Sequence, residues 1–356
     1  MNIVLATVKT LAIGAAGGAL FKFLGIPMAW MLGALAACMI ASQFVSNIKI
    51  PRIFRSVLQP VLGVMLGSYF SPSLLDDLSR WPGVLAFLAL YVVVSLIFGL
   101  LYFRRVAGYD ITTSFFAAVP GGLSDLTLIG ASMGANIVLL GLIHSIRVLM
   151  TVVLMPFILS FFATPIIAVT ARIPAPIGLI DAGILVACGV TGWTLARVLR
   201  IPAGATLGPL IISAAVHMLG FTESSPPGLM VNGVQIVLGA FIGARFVDLE
   251  WRHFRSALGH GLVWAIGLIV ISVIIAFACH HATGFGAPQL MLAFAPGGMA
   301  EMGLLTLALG IDVALVTTCH VARLILVYMI VPVAARRVSE KEHEKVRASD
   351  TGLNDD

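Results

Sequence analysis

Pro120-Gly121-Gly122-Leu123-Ser124-Asp125 interrupts a long apolar stretch, and its twin, Pro296-Gly297-Gly298-Met299-Ala300-Glu301, follows 176 positions later. Proline removes a backbone donor and glycine is a poor helix former, so a continuous helix through either triplet would be strained. Each copy keeps the same companions in register. Gly134, His144, Arg147 and Pro156 follow the first, and Gly310, His320, Arg323 and Pro332 follow the second. A chain break and three ionisable groups, repeated inside oily surroundings, point to two matching halves that meet at one site.

The correspondence spreads outward from the triplets. Ile26-Pro27 with Leu32-Gly33 matches Ile201-Pro202 with Leu207-Gly208, displaced by 175. Gln59, Leu62, Gly63, Gly67 and Phe70 match Gln235, Leu238, Gly239, Gly243 and Phe246, displaced by 176. The expected organisation is a first membrane repeat over 1–165, a connector over 166–176, a second repeat over 177–338, and a disordered cytoplasmic tail over 339–356. The connector carries Pro174 and Pro176, and the tail is charged without apolar periodicity.

Composition sets the class. Of 356 residues, 60% are hydrophobic and only 10% charged, with a mean hydropathy of +1.06. Soluble chains carry roughly 25% charged residues. Apolar stretches long enough to cross a hydrocarbon core of ~30 Å recur along the chain. The fold class is therefore an all-α integral membrane protein, because the stretches lack the alternation a transmembrane barrel needs. The net charge of +5 lies in short groups between apolar stretches, which orients membrane proteins and is no nucleic-acid footprint. The N-terminus lacks a basic start and cleavage site, and reads as a retained span. Cys38, Cys188, Cys279 and Cys319 all lie in apolar stretches without a CxxC, and read as core fillers.

Each half divides into six apolar segments, about 4–24, 27–46, 56–70, 82–103, 111–134 and 136–161, then 177–196, 202–221, 228–246, 258–279, 287–309 and 311–335. If all twelve cross, loop lysines and arginines divide evenly between the two faces. If the two triplet-bearing segments turn back instead, only Lys22, Arg80 and Arg172 fall outside. Arg52, Arg55, Arg104, Arg105, Arg197, Arg200, Arg245, Arg252 and Arg255 are then among those inside, as the positive-inside rule prefers. The reading is thus two inverted repeats, each of five transmembrane helices plus one broken or re-entrant Pro-Gly-Gly segment. Both termini are then cytoplasmic in a multi-pass protein of the bacterial inner membrane.

His144 and Arg147 share one helix face, as do His320 and Arg323. Counting from Asn136, Arg147 lies roughly 17 Å along its helix, near the bilayer centre, where a charge costs at least ~2.5–3.5 kcal/mol on insertion scales. Asp125 and Glu301, one per half, are the expected partners. One reading makes these structural ion pairs that lock the broken segments in place. The other makes the arginines an anion site, or the carboxylates exchangers of a cation or proton. The helix starts after each triplet also favour negative charge, so either acid could be an ordinary N-terminal cap. Gly63/Gly67 and Gly239/Gly243, like Gly14/Gly18, read as small-residue pairs for close helix packing. Gln59 and Gln235 read as interhelical hydrogen-bonding groups, and Asn136 and Asp312 as N-caps. His280-His281 point to different faces of one helix, so no metal site is expected. No nucleotide loop, HExxH or nucleophile elbow occurs, and neither a cofactor nor an enzymatic activity is expected.

The blocks Ala118-Val119-Pro120-Gly121-Gly122-Leu123-Ser124-Asp125 and Ala295-Pro296-Gly297-Gly298-Met299-Ala300-Glu301, with His-x-x-Arg after each, resemble the bacterial AbrB membrane-protein duplication family. That family is distinct from the small soluble DNA-binding proteins of the same name. The resemblance covers about residues 5–336. It implies regulation of gene expression for some members and ammonia monooxygenase for others. The residues fit those labels unevenly. A copper site needs clustered ligands, a transcription factor needs a basic module, and neither is present. The residues are read first as a secondary transporter or permease of a small solute, with an anion as one candidate, working by alternating access. Asp125 and Glu301 would couple or gate, with H+ or Na+ as the ion. Arg147 and Arg323 would meet substrate charge, and His144 and His320 would handle protons or hydrogen-bond. The alternative is a membrane-embedded regulator acting indirectly through a partner or solute; an ammonia-monooxygenase-like enzyme comes third. The expected partners are the lipid bilayer and the solute, with no nucleic acid; a homo-oligomer is left open.

Overall fold

The computed structural model describes residues 3–45, 48–75, 78–121, 123–162, 178–201, 203–244 and 251–330. The connector, the tail, Gly122, Pro202, Arg245 and Pro332, all singled out above, lie outside the described residues, as do the side chains of Asp125, Arg52 and Arg55. Among the described residues the chain is all helix. The first half contributes α1 (Ile3–Phe23), α2 (Ala29–Phe44), α3 (Arg52–Gly67), α4 (Trp81–Arg105), α5 (Ile111–Ala118), α6 (Leu123–Ser132) and α7 (Ile137–Phe162). The second contributes α8 (Leu179–Val198), α9 (Gly204–Met218), α10 (Gly228–Gly243), α11 (Trp251–Thr283), α12 (Ala287–Phe294) and α13 (Met299–Ala308), and then α14 (Val313–Ile330).

Six of these helices (α1, α4, α7, α8, α11 and α14) are long and apolar enough to cross a bilayer. This is an all-α membrane protein. The 15- and 16-residue helices α2, α3, α9 and α10 reach only about 24 Å at 1.5 Å per residue. The helices follow the twelve apolar stretches closely, several running on into basic stems: Arg52 and Arg55 fall in α3, Arg104 and Arg105 in α4, and Arg197 in α8. Helix α11 begins at Trp251 and runs 33 residues, so Arg255, read from sequence as a loop residue, lies in helix. Hydropathy marks where the oily part of a helix starts, whereas the backbone hydrogen bonds continue past it into a polar stem.

Helices pack into two bundles. In one, α1, α2 and α3 interlock with α8, α9 and α10: α3 lies along α9, and α2 lies along α10. Glycine makes these seams possible. A Cβ at Gly63 would collide with the Thr206 carbonyl oxygen, and one at Gly239 with that of Met31. At Gly67 and Gly243 the distances would be 2.6 Å to Leu210 O and 2.5 Å to Leu35 O. The two seams are therefore backbone against backbone, in matching registers. Within α1 the tightest contact belongs to Gly17, which meets the Gly33 backbone, and Gly14 has more room. The second bundle gathers α4 to α7 around α11 to α14, with α11 against both α7 and α4. One continuous apolar cluster, drawn from both halves, fills this bundle and runs on into α2, α3 and α10 of the other.

The breaks repeat with high fidelity. Helices α5 and α6 are separated by 119–122, and α12 and α13 by 295–298, every boundary displaced by 176. At 8 and 10 residues, neither piece can span the membrane alone. Gly134 and Gly310 end α6 and α13 at φ +88° and +65°, the left-handed conformation that glycine adopts without a Cβ clash. Asn136 and Asp312 then cap α7 and α14 as expected. Each Oδ1 accepts two amides, from Val138 and Leu139 at 3.1 Å, and from Ala314 at 2.9 Å and Leu315 at 3.4 Å.

Candidate functional site

Both arginines are buried, Arg147 at 2% and Arg323 at 4% exposed, and each grips the break of its own half. Arg147 Nη1 donates to Val119 O at 3.1 Å and Nη2 to Gly121 O at 2.6 Å. Arg323 repeats this on Ala295 O at 2.6 Å and Gly297 O at 2.7 Å. A helix end leaves carbonyls without intrahelical donors and carries a negative dipole end. The guanidinium fork satisfies two such oxygens at once, which a point charge could not do as well.

At Glu301 this departs from the expected pairing of arginine with acid. Among the described residues Glu301 makes no ion pair with either arginine. Its carboxylate folds back over Gly298, where a Cβ would collide with it. It stands in the first turn of α13, and an acid there is stabilised by the helix dipole without any partner. Arginine turns to the break because the interrupted backbone offers two carbonyls at fork spacing. The Asp125 side chain lies outside the described residues.

The histidines are inequivalent. His320 Nε2 donates to Leu292 O at 3.1 Å, while its Nδ1 accepts from Arg323 Nη2 at 2.9 Å. This network defines a neutral ring with its proton on Nε2. His144 is 0% exposed and bears on the Phe116 backbone, but neither ring nitrogen makes a hydrogen bond of good geometry. It stands where His320 stands, with Phe116 in the place of Leu292, and its ring does not close the same network.

Across the halves, Gly121 packs against Val327 of α14, and Gly303 of α13 against Leu66 of α3. Arg147 lies in the field of both Arg323 and Glu301, and Tyr91 in the field of both arginines. Pro120, Gly121, Pro296 and Gly297 are all buried, and Gly298 partly so. The two arginines, the two histidines and the backbone of both breaks are thus brought into one core. A small cavity beside the first break is lined by Val92, Leu96, Phe115, Val119, Pro120 and Val327.

Sequence reasoning missed Tyr91 and Ser95 of α4, both 0% exposed. They are Gly267 and Ile271 in the second half, so a search for repeated polar residues passes over them. The signal available was their polarity within a strongly apolar span. His280, adjacent to His281, has its Nδ1 on Phe285 O at 2.6 Å, an end-of-helix role.

Comparison with known proteins agrees with this architecture. A Bacillus subtilis (strain 168) protein named "Uncharacterized protein YhjN" is 30% identical over 94% of both chains. A protein of Escherichia coli (strain K12) named "Putative regulator AbrB" is 25% identical over 90% of this chain and 92% of its own. The profile of the family described as Transition state regulatory protein AbrB matches residues 30–339. The chain belongs to that AbrB family.

Proposed function

We propose that this protein is a secondary transporter or permease for a small solute, working by alternating access between two inverted repeats. The observation that carries this is the meeting of two equivalent interrupted helices, each clasped by a buried arginine, in one core built from both halves. Membrane proteins tolerate irregular backbone at depth only where protein or water surrounds it, and transporters place their binding sites at such discontinuous helices. Two bundles that share one apolar core and meet at contacts such as Gly303 on Leu66 are the bodies that rock against one another in this reading. Loop charge supports an inverted second repeat in a bacterial inner membrane, with ten crossings and both termini cytoplasmic.

In this reading the arginines shape the breaks and keep Nε without a partner. Glu301 and Asp125 couple or gate, with H+ or Na+ as the ion. His144, with no hydrogen bond of good geometry on either nitrogen, handles protons, and His320 holds Arg323. The test is solute flux in proteoliposomes, with candidates chosen from metabolites that a deletion strain fails to take up. Flux should fall at least tenfold in Glu301→Gln or Asp125→Asn; undiminished flux in both variants would remove the coupling role. Flux of none of the candidates would remove transport itself.

The printed family description and the Escherichia coli relative's name favour a second reading, a membrane-embedded regulator acting through a partner or solute. Such a protein keeps its effect when Asp125 and Glu301 are neutralised. It loses that effect when the cytoplasmic loops or residues 339–356 are altered.

A further inference from the structure

Among the buried donors of the second bundle that lack an acceptor, which include Trp264 Nε1 and Thr317 Oγ1, four bear on the two breaks. Arg147 Nε and Arg323 Nε are unpartnered, and the Tyr91 and Ser95 hydroxyls, one helical turn apart, have only each other within reach, all on side chains no more than 4% exposed. Helix α4 draws them together. Tyr91 lies parallel to Phe294, ring centroids 6.4 Å apart, just before the second break. Two turns on, a Cβ at Gly99 would approach Ala118, just before the first break, to 2.6 Å. Ser95 falls midway, so about 12 Å of α4 bridges the two breaks. Both guanidinium groups act on Tyr91 and on one another across this junction.

The chemistry of the four is one-sided. Arginine Nε can only donate, and the guanidinium keeps its charge. The Nη groups of both arginines are bound to neutral carbonyls, so two like charges share an apolar core with no carboxylate bonded to them among the described residues. A buried charge without a counter-charge is costly. A water molecule could satisfy the hydroxyls but brings no negative charge, and Glu301 bears on Arg147 alone. An anion with two oxygens and about four lone-pair sites answers both demands.

We infer that the junction of the two breaks, against the Tyr91–Ser95 turn of α4, binds one carboxylate group of a small solute through Arg147 Nε, Arg323 Nε and the two hydroxyls. The identification of that carboxylate as cargo rests on the transport reading above; the site itself does not. Because Gly267 and Ile271 replace the hydroxyls in the second half, the site is single and lies toward α4.

The experiment uses the full chain purified in detergent. Its thermal unfolding is followed as sodium formate or sodium acetate replaces sodium chloride at constant ionic strength. A ligand that binds only the folded state raises the midpoint saturably. Formate or acetate should do so relative to chloride, and Ser95→Ala or Tyr91→Phe should raise the half-saturating concentration about tenfold, as loss of one bond to a charged group predicts. No saturable rise over chloride, or unchanged half-saturation in both variants, overturns the proposal. Should Tyr91→Phe fail to fold, Ser95→Ala alone decides, since it removes one oxygen and no charge. Binding without flux would keep the site and remove transport; flux of a solute without carboxylate binding would do the reverse.

Discussion

Replacing Arg323 by lysine keeps the charge and removes the fork. Arg323 makes three bonds, to Ala295 O at 2.6 Å, Gly297 O at 2.7 Å and His320 Nδ1 at 2.9 Å. A single ammonium in the same space reaches one carbonyl and leaves the other buried without a donor, together with the imidazole acceptor. Losing one bond to a charged group costs about 1.5–3 kcal/mol and a neutral acceptor about 1 kcal/mol more. The sum, about 3 kcal/mol, corresponds to opening of the second break roughly 150-fold more often. Hydrogen exchange read by mass spectrometry over residues 290–302 measures that opening directly. Arg147 lacks the histidine bond, so Arg147→Lys should accelerate exchange at the first break about fivefold less. Exchange at 290–302 within about fivefold of the wild-type rate in Arg323→Lys would refute the clasp as the element that holds the break.

Three further outcomes follow from the same geometry. His144→Leu should be neutral or stabilising by about 1 kcal/mol, because it removes a buried polar ring with no hydrogen bond of good geometry, while His320→Leu should destabilise by about 1–3 kcal/mol; paired thermal unfolding checks the order. Gly239→Ala should cost about 1–3 kcal/mol through collision with the Met31 carbonyl. Gly233→Ala on the same helix, with nothing within 4 Å of its Cβ position, should stabilise by about 0.5–1 kcal/mol, and equal effects from the two would deny the seam. Asn136→Ala should cost about 1 kcal/mol by freeing the Val138 and Leu139 amides, seen as faster exchange confined to the first turn of α7.

Much of the fold was legible because oil-solubility and backbone chemistry leave local traces. The Pro-Gly-Gly triplets marked the breaks at the right residues, and the glycine spacings in α3 and α10 fell on backbone-to-backbone seams. What could not be read was the choice among partners. Sequence offered Arg323 an acid of opposite sign at Glu301. The folded chain offered two carbonyls at fork spacing, and only three-dimensional placement decides between them. The difference between His144 and His320 was equally hidden, since both copies read His-x-x-Arg. Tyr91 and Ser95 escaped for the opposite reason: they occur once, and repetition was the guide. The extension of α11 back to Trp251 was missed because basic residues in a helical stem look like a loop to a hydropathy scale.

The exchange of partners in the first bundle bears on how the chain is made. The glycines of α3 find their complement in α9, and the α2 backbone at Met31 and Leu35 receives the glycines of α10. A ribosome that has released the first half into the membrane has therefore supplied surfaces whose mates do not yet exist. Assembly of that bundle must wait for the second half to be synthesised, and insertion machinery or lipid shields the grooves meanwhile. A gene divided between 163 and 177 should then yield two fragments that are each degraded alone and accumulate together.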